Sequence, residues 1–458
     1  MIVEPYRVRP AAPAVSLLTA GGGFLLEDGR IVPPRLRPEA VQAWAPLDRV
    51  NDLLRAGKGR ALCWRGQPIR YAPGSAEDAG AYFVRVLGIP FPPDDDEALA
   101  GLVRWRNWLA LHGAAPQGSL GSTSMSLLRS TLTEPLWTGV PASSCPPIGF
   151  TIGGRQELGP QGAPAEYRGQ LAHYDLRSAY AVTLGGLEYG GRWYTIDHDL
   201  PATAAKLDAA RRMVFVRARV RLRDVGIGPL VRRPRAEPRG MLGYFPEYPR
   251  SGTVQGVWTY PELRAASDCG AIAACKLLAG WFHANGSPDP YPFRPWLERI
   301  EGGRGMRGFA GMLAKATGNA LWGQFCISPA GRKQKLFYRN GRRQIVEMPV
   351  AGSRKPAHDL SEYLTGKVRA ELFRFMSAAG RRLCSAHTDG GWIDTGGGGW
   401  SYPEPWRLKQ EAVHLRVLDP QVLAYTDPIG AEKYVVAGWP QDAAGDRFEH
   451  DWAARAAS

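Results

Sequence analysis

The spacing of apolar residues predicts helices in three parts of the chain. The first begins at Asp95, a good N-cap, and ends near residue 112, before Gly113. Its apolar positions recur at helical spacing, at Leu99, Leu102, Val103 and Leu109. Residues 304–323 and 364–379 show the same period and are predicted to be helical.

Alternation of apolar and polar residues predicts strands elsewhere. Residues 212–222 alternate as a half-buried strand does. Residues 1–90 contain short strands and turns, among them a hairpin over residues 23–32 with an Asp-Gly turn. A second hairpin is predicted over residues 333–350, and a further strand over residues 432–438.

The composition adds a class of partner to this picture. The 458-residue chain carries a net charge of +14 and 44% hydrophobic residues, which indicates a globular protein with a polyanionic partner such as nucleic acid. A generic basic protein fits the charge equally well. There is no long apolar run, no signal-peptide pattern and no CxxC pair among six cysteines. We therefore expect a cytoplasmic protein without a membrane span or a zinc site.

Two aspartates have the chemistry of a metal site. Asp175 follows a predicted strand, and Asp389 lies in a Gly-rich turn between two strands, so their carboxylates can meet across adjacent strands. Nucleotidyl transfer uses two divalent ions about 3.5–4 Å apart, and Mg²⁺ or Mn²⁺ prefers carboxylate oxygens. We assign Asp175 and Asp389 as catalytic and metal-binding residues, with Leu176 beside them. An ordinary turn or capping aspartate is the alternative for each.

The predicted helix over residues 304–322 has one cationic and one apolar face. The cationic stripe consists of Arg304, Arg307, Gly311, Lys315, Asn319 and Trp322. A row of cations suits a nucleoside triphosphate, and the glycines at positions 308, 311 and 318 would let a base pair approach the backbone. The solvated face of an ordinary amphipathic helix explains the arginines but not the glycines.

Three ordered segments resemble motifs A, B and C of the family B DNA polymerases. Residues 175–181 resemble DxxSLYP, residues 315–323 resemble KxxxNSxYG, and residues 385–390 resemble YxDTDS. The resemblance implies that Asp175 and Asp389 hold two metal ions. The implied nucleotide-binding residues are Lys315, Arg304, Arg307, Ser178, Tyr180 and Asn319. Tyr180 would exclude the ribose 2′-hydroxyl, and His387 stands where the family has another aspartate.

Two shorter matches narrow the resemblance to the protein-primed, phage-type branch. Residues 153–155 resemble the YxGG segment, with Thr151 in place of the tyrosine, and residues 365–369 match TxxxR. The DNA-binding residues that this implies are Gly153, Gly154, Arg155, Thr365, Arg369, Lys433 and Tyr434, the last two from a KxY motif with shifted spacing. The family's proofreading DxE has no match in the first 60 residues, so we predict no 3′–5′ exonuclease.

The implied fold is an α/β (α+β) right hand. It has an antiparallel palm sheet, short helical fingers, a reduced or absent thumb and a degenerate N-terminal domain. The predicted domains are residues 1–145 (N-terminal, degenerate or truncated exonuclease-like), 146–290 (first part of the palm), 291–330 (fingers), 331–362 (hairpin insertion), 363–440 (second part of the palm) and 441–458 (C-terminal tail or thumb remnant).

The predicted function is DNA-directed addition of dNTPs to a primer 3′-end. The expected partners are primer–template DNA, dNTPs and a terminal protein or other replication factor. One alternative is a primase-like or template-independent nucleotidyltransferase on the same palm. Another is a catalytically weak, DNA-binding pseudo-polymerase, which His387, Ala181 and Ala320 favour, and a third is a basic α/β protein with chance motifs.

Overall fold

The structure is a computed structural model and is described over most of the chain. The described residues are 14–33, 42–56, 59–62, 70–73, 84–87, 89–133, 146–148, 155–232, 247–284, 290–325, 332–339, 342–349, 357–398, 400–420, 422–436 and 441–456. None of the helices in these ranges is long and apolar enough to cross a membrane.

Strands and helices alternate irregularly along these residues. The strands are β1 (Val15–Leu18), β2 (Phe24–Leu26), β3 (Ile31–Val32), β4 (Gln42–Pro46), β5 (Gly59–Leu62), β6 (Arg70–Pro73), β7 (Val84–Leu87), β8 (Gln156–Leu158), β9 (Ala165–Leu176), β10 (Arg192–Thr195), β11 (Val214–Leu222), β12 (Gly252–Thr259), β13 (Ile272–Ala284), β14 (Arg332–Arg339), β15 (Arg342–Pro349), β16 (Leu383–His387), β17 (Gly390–Asp394), β18 (Trp406–Asp419), β19 (Val422–Thr426) and β20 (Glu432–Val436). The helices are α1 (Leu47–Arg55), α2 (Asp95–Leu111), α3 (Leu120–Thr131), α4 (Ala179–Gly185), α5 (Leu200–Ala209), α6 (Tyr260–Asp268), α7 (Arg294–Arg304), α8 (Phe309–Ala320), α9 (Trp322–Phe325), α10 (His358–Ala379) and α11 (Gln441–Ala456).

The N-terminal residues form a mixed sheet with the strand order β3-β2-β1-β4-β7-β6-β5. Strand β4 pairs in parallel with both β1 and β7, and the other pairs are antiparallel. Helix α2 packs between this sheet and α8, because Trp105 reaches both neighbours: its ring lies 5.6 Å from that of Trp44, and its indole N–H donates a hydrogen bond to Thr317.

A seven-stranded antiparallel sheet carries the two predicted metal-binding aspartates. Its strand order is β20-β19-β18-β9-β17-β16-β8, with the long strand β9 at its centre. One face of β9 points Ala172, Tyr174 and Leu176 into a core shared with α10. Because side chains alternate along a strand, His173 and Asp175 belong to the opposite face.

A second antiparallel sheet, β10-β13-β11-β12, packs on the same core. Val214, Val216 and Val220 of β11 are fully buried there. The 22-residue helix α10 contributes buried residues of its own, including Phe373, Phe375 and Met376. One helix thus joins the two antiparallel sheets through a common hydrophobic core.

Several elements confirm the sequence predictions, and two correct them. Both predicted hairpins are present as paired strands, although the Asn340-Gly341 turn lies outside the described residues. Asp94 rather than Asp95 caps α2, by accepting a hydrogen bond from the Glu97 N–H. The helix predicted over residues 304–323 is broken: α7 ends at Arg304, and α8 begins after Gly308, whose φ of +66° a right-handed helix does not contain.

Candidate active site

Asp175 and Asp389 lie at neighbouring strand ends of the large sheet. Asp175 is opposite Gly390 in the β9–β17 register, and Asp389 occupies the turn between β16 and β17. The Leu176 N–H donates to the Asp389 carbonyl at 2.7 Å. The Leu176 side chain is buried in the core, so only its main chain can contribute here. We call the two aspartates the carboxylate corner.

The turn that presents Asp389 has an unusual backbone. Thr388 adopts a φ of +53°, a left-handed value that costs a β-branched residue about 1–2 kcal/mol. Its N–H donates to the Arg155 carbonyl at 2.7 Å. Strand β8, which begins at the next residue, pairs with β16, so this edge strand holds the turn in place.

Burial dominates the ionisation of Asp389 in the corner. Burial and the neighbouring Asp175 carboxylate raise the pKa of Asp389 from 3.8 to about 6, against the opposing effects of Lys409 and Lys315. The Lys409 ammonium lies 3.5 Å from Asp175 Oδ1, and the Arg407 guanidinium lies 3.7 Å from Oδ2. Burial is thus the largest cause of the raised pKa, and the nearby lysines oppose it only in part.

His387 lies beside the corner and is neutral. Its ring stacks on His173 at 5.7 Å, and His173 stacks on Trp392 at 4.9 Å. Burial lowers the pKa of both histidines, that of His173 to about 3. At neutral pH the histidine pair therefore adds no charge to the corner.

The donor set fits a hard divalent cation. Carboxylate oxygens are the ligands that Mg²⁺ and Mn²⁺ prefer, and Mg²⁺ uses few protein ligands because it keeps several waters. Within the described ranges, no group of three or more His, Cys, Asp or Glu side chains is arranged to hold a metal ion. The fit therefore rests on the two carboxylates alone.

The motif A residues after Asp175 meet the end of α7. Ser178 has a φ of 49° and precedes α4. The Arg304 guanidinium donates to the Ser178 hydroxyl and, at 2.9 Å, to Glu301 Oε1. Tyr180 packs against Trp322, with ring centroids 5.1 Å apart. The structure thus brings Ser178 and Arg304 into contact, and Tyr180 lies two residues further along the chain.

The cationic stripe and the glycines of the predicted helix are arranged differently from the prediction. Lys315 and Asn319 are exposed on α8, but Arg304 and Arg307 lie outside this helix because of the break. A Cβ at Gly311 would lie 2.1 Å from the Met306 carbonyl oxygen, and one at Gly318 would lie 2.7 Å from Ile300. These glycines therefore allow α8 to pack against α7 and the turn after it, and the expectation that they admit a base pair is corrected.

The predicted DNA-binding residues Arg155, Thr365 and Arg369 are buried. Arg369 bonds Glu262 at 2.8 Å and also contacts Glu362, and all three side chains are at most 4% exposed. We call Glu262, Arg369 and Glu362 the buried triad. Thr365 donates to the Ser361 carbonyl.

Arg155 is equally enclosed. It bonds Glu157 and the Gly228 carbonyl and stacks on Tyr248. Guanidinium groups enclosed in this way do not fit direct DNA contacts. The prediction that Arg155 and Arg369 contact DNA through their side chains is corrected on this point.

The remaining predicted DNA contacts lie apart from the corner. Lys433 bonds Asp427 at 3.0 Å, and the Tyr434 hydroxyl donates to Glu432 and Glu449. Strand β20 is separated from β9 by β19 and β18, so neither residue lies next to Asp175. Gly153 and Gly154 lie outside the described residues.

Sequence reasoning missed the cations of β18. Arg407 is opposite Asp175 in the register, and Lys409 lies at a bulge between Leu408 and Gln410. The bulge brings both cations to the same carboxylate, which strict alternation does not predict. The signal in the sequence is a pair of basic residues in a strand that follows motif C.

Comparison with solved structures identifies the fold. Phi29 DNA polymerase with primer–template DNA and incoming nucleotide is similar at a TM-score of 0.57 and 12% identity, over 95% of this chain and 94% of that one. The complex of Phi29 DNA polymerase with primer–template DNA alone is similar at a TM-score of 0.56 and 12% identity, over 94% of this chain and 93% of that one. An orthorhombic crystal form of Phi29 DNA polymerase is similar at a TM-score of 0.55 and 14% identity, over 79% of this chain and 68% of that one. No family model and no curated protein matches the sequence.

This likeness shows the fold. The chain has a mixed α/β architecture with antiparallel sheets that matches the Phi29 polymerase fold. The division into palm, fingers and thumb, the six predicted domain boundaries and the roles of the site residues stay predictions.

Proposed function

We propose that this protein is a DNA polymerase of family B, in its protein-primed, phage-type branch. It adds dNTPs to a primer 3′-end on a DNA template. The observation that carries the proposal is the carboxylate corner: two aspartates from distant motifs lie at adjacent strand ends in a polymerase fold. Carboxylates at the end of β9 and in the β16–β17 turn suit nucleotidyl transfer.

The corner residues and the nearby cations have separate tasks. Asp175 and Asp389, with the main chain of Leu176, would hold Mg²⁺ or Mn²⁺, which supplies activation of the 3′-hydroxyl and neutralisation of the leaving pyrophosphate. Lys315 is exposed on α8 and near enough to influence the pKa of Asp389. Lys315, Arg304 and Arg307 bind the triphosphate, and Asn319 lines the nascent base pair.

Tyr180 selects the sugar. Its ring is held against Trp322 between the two main cores, so it has little freedom to move aside for a 2′-hydroxyl. Ser178 and Arg304 form a polar site next to it. The expected substrates are therefore dNTPs rather than rNTPs.

The proposal extends to the exonuclease activity and the priming of this enzyme. The enzyme lacks 3′–5′ exonuclease activity, because the DxE motif has no match in the first 60 residues. A terminal protein or other replication factor supplies or positions the primer, by analogy with the protein-primed branch. Degradation of end-labelled single-stranded DNA measures the first point directly.

The test is extension of a labelled primer–template with dNTPs or rNTPs, in Mg²⁺ or Mn²⁺, with single-stranded DNA as a control. We expect template-dependent dNTP addition, reduced about 10²–10³-fold or more in Asp389→Ala because charge stabilisation in the transition state is lost. Addition without a template favours the transferase alternative. No addition under any condition, with DNA still bound, favours the pseudo-polymerase, the alternative for which neutral His387 is the specific observation.

A further inference from the structure

Strand β11 has one fully apolar face and one cationic face. Its inward residues, including Val216, Ala218 and Val220, are completely buried. The alternate residues Arg217, Arg219 and Arg221 are exposed. Because alternate side chains of a strand are about 7 Å apart, the three arginines follow one another along the same face of β11.

The neighbouring strands add positive charge to this row and no negative charge. On β13, Lys276 is directly opposite Arg219, and Ala274 is opposite Arg221. On the other side, Gln255 and Thr253 of β12 occupy the corresponding positions. We call Arg217, Arg219, Arg221 and Lys276 the arginine face.

The arginine face differs from those surface arginines of this protein that have carboxylate partners. Arg168, Arg232 and Arg264 are at least 55% exposed, yet each pairs with a carboxylate: Glu166, Glu247 and Asp208, respectively. In the part of the chain that the structure describes, none of the four cations of the arginine face forms an ion pair. Like charges directly opposite each other in a sheet are destabilising, so this arrangement does not serve the fold.

The shape and chemistry of the face select its partner. It is an exposed surface of an antiparallel sheet, and the arginines of β11 occupy every second position along the strand. Guanidinium groups bind phosphate through two parallel hydrogen bonds, and a nucleic-acid backbone offers phosphates in series. A single small anion would engage only one of these groups.

We propose that the arginine face binds the sugar–phosphate backbone of DNA, at a site separate from the carboxylate corner. The two sites lie on different sheets, which share the core around α10. The inference rests on the proposed function only for the choice of DNA as the polyanion. The role of the arginine face is to hold DNA independently of the base sequence.

The test is the salt dependence of DNA binding, measured by fluorescence anisotropy of a labelled primer–template in EDTA without nucleotides. The variant is the triple change Arg217→Gln, Arg219→Gln and Arg221→Gln. The slope of log K against log salt decreases in magnitude by about 0.9 for each phosphate that the protein no longer neutralises, so we expect a decrease of about 2–3. The affinity in low salt should fall at least tenfold.

The matched control removes the same three charges elsewhere, through Arg168→Gln, Arg232→Gln and Arg264→Gln. It should leave the slope nearly unchanged, since those arginines already pair with carboxylates. A triple Arg→Lys variant of the arginine face should retain the slope, which separates the removal of charge from damage to the sheet. The proposal is overturned if the Gln variant and the control have equal slopes, the result expected if the face binds an acidic protein instead.

Failure of this proposal and failure of the proposed function are distinguishable. The anisotropy measurement needs no catalysis. If the wild type binds DNA through the arginine face but extends no primer, the binding proposal stands and the proposed polymerase function fails. If the wild type extends primers but the two Gln variants have equal salt slopes, the polymerase function stands and the binding proposal fails.

Discussion

The carboxylate corner and the buried triad are both clusters of charged side chains, and they shift the pKa of a carboxyl group in opposite directions. In the triad, Arg369 lies between Glu262 and Glu362 in the interior. Burial raises the pKa of Glu262, but its Arg369 partner and hydrogen bonds outweigh that effect and lower it overall. In the corner, burial and Asp175 raise the pKa of Asp389 to about 6. In the triad, direct contacts with Arg369 outweigh the effect of burial, whereas in the corner the effect of burial outweighs that of the nearby cations.

This difference separates structural from functional sites where motif matching does not. Arg369 and Asp389 both belong to segments that resemble polymerase motifs, and the sequence alone assigns a functional role to each. Both groups have a shifted pKa, but only Asp389 is also partly exposed, as a reactive group must be. Exposure in the folded protein is therefore the criterion that separates the two.

The largest expected effect is the loss of the triad's cation. Arg369→Met leaves two buried carboxylates without their partner, so we expect a loss of about 3–5 kcal/mol in the free energy of unfolding, measured by urea denaturation. Arg374→Met, on the same helix, breaks the partly exposed pairs with Glu371 and Asp268 and should cost no more than about 1 kcal/mol. Equal losses in the two variants would contradict the structural assignment of Arg369.

Asp389→Asn should stabilise the protein while it removes activity. The pKa of this carboxyl is raised from 3.8 to about 6 in the folded state. Between these pH values it therefore binds more protons in the folded state than in the unfolded state. Its contribution to stability therefore falls as the pH rises from about 4 to about 6. At pH 7 in EDTA the variant should be more stable than the wild type by about 1–3 kcal/mol.

The same pair compared at pH 4 supplies the control for that prediction. There the wild-type carboxyl is largely protonated, so the difference in unfolding free energy between wild type and variant should become small. A difference that stays constant between pH 4 and pH 7 would show that ionisation of Asp389 is not its cause.

Tyr180→Ala should relax sugar selection. We expect the ratio of kcat/KM for a dNTP over the matching rNTP to fall by roughly 10–200-fold, the range typical of discrimination by steric fit in a pocket. Tyr194→Ala changes a tyrosine that is 48% exposed on β10 and should leave the ratio unchanged. An unaltered ratio in Tyr180→Ala would remove the steric-gate assignment.

The smallest expected effect concerns the backbone of the corner. Thr388→Gly removes the cost of a positive φ but increases the entropy of the unfolded chain by about 0.5–1 kcal/mol, so stability should rise by less than about 1 kcal/mol. Thr388→Val keeps the unfavourable backbone and should show no gain. A gain in the valine variant would indicate that the threonine side chain, not its φ, is the source of strain.

The sequence was most informative where local patterns coincide with ordered motifs. The hairpin signals at Asp28-Gly29 and around Asp389 correctly locate paired strands. In the structure Asp175 is opposite Gly390, the residue after Asp389, on adjacent strands. The hairpins depend on turn chemistry, which residues close in sequence determine.

The burial of Arg155 and Arg369 could not be predicted in this way. Glu262 is 107 positions from its Arg369 partner, and no local pattern tells which distant carboxylate a guanidinium will meet. The break at Gly308 was missed because apolar spacing continues across it, and Lys409 was missed because a bulge changes the register of β18. Each miss arises from tertiary structure that overrides a local period.

The buried triad also constrains how this fold can change over evolutionary time. Apolar residues of similar volume can replace a buried ionic triad as a set with little loss of stability, whereas removal of one member leaves an unpaired charge. Any mutational path that changes these residues singly must therefore pass through poorly folded intermediates. Glu262, Arg369 and Glu362 would then persist through neutral drift as a group, whatever the protein's substrate becomes.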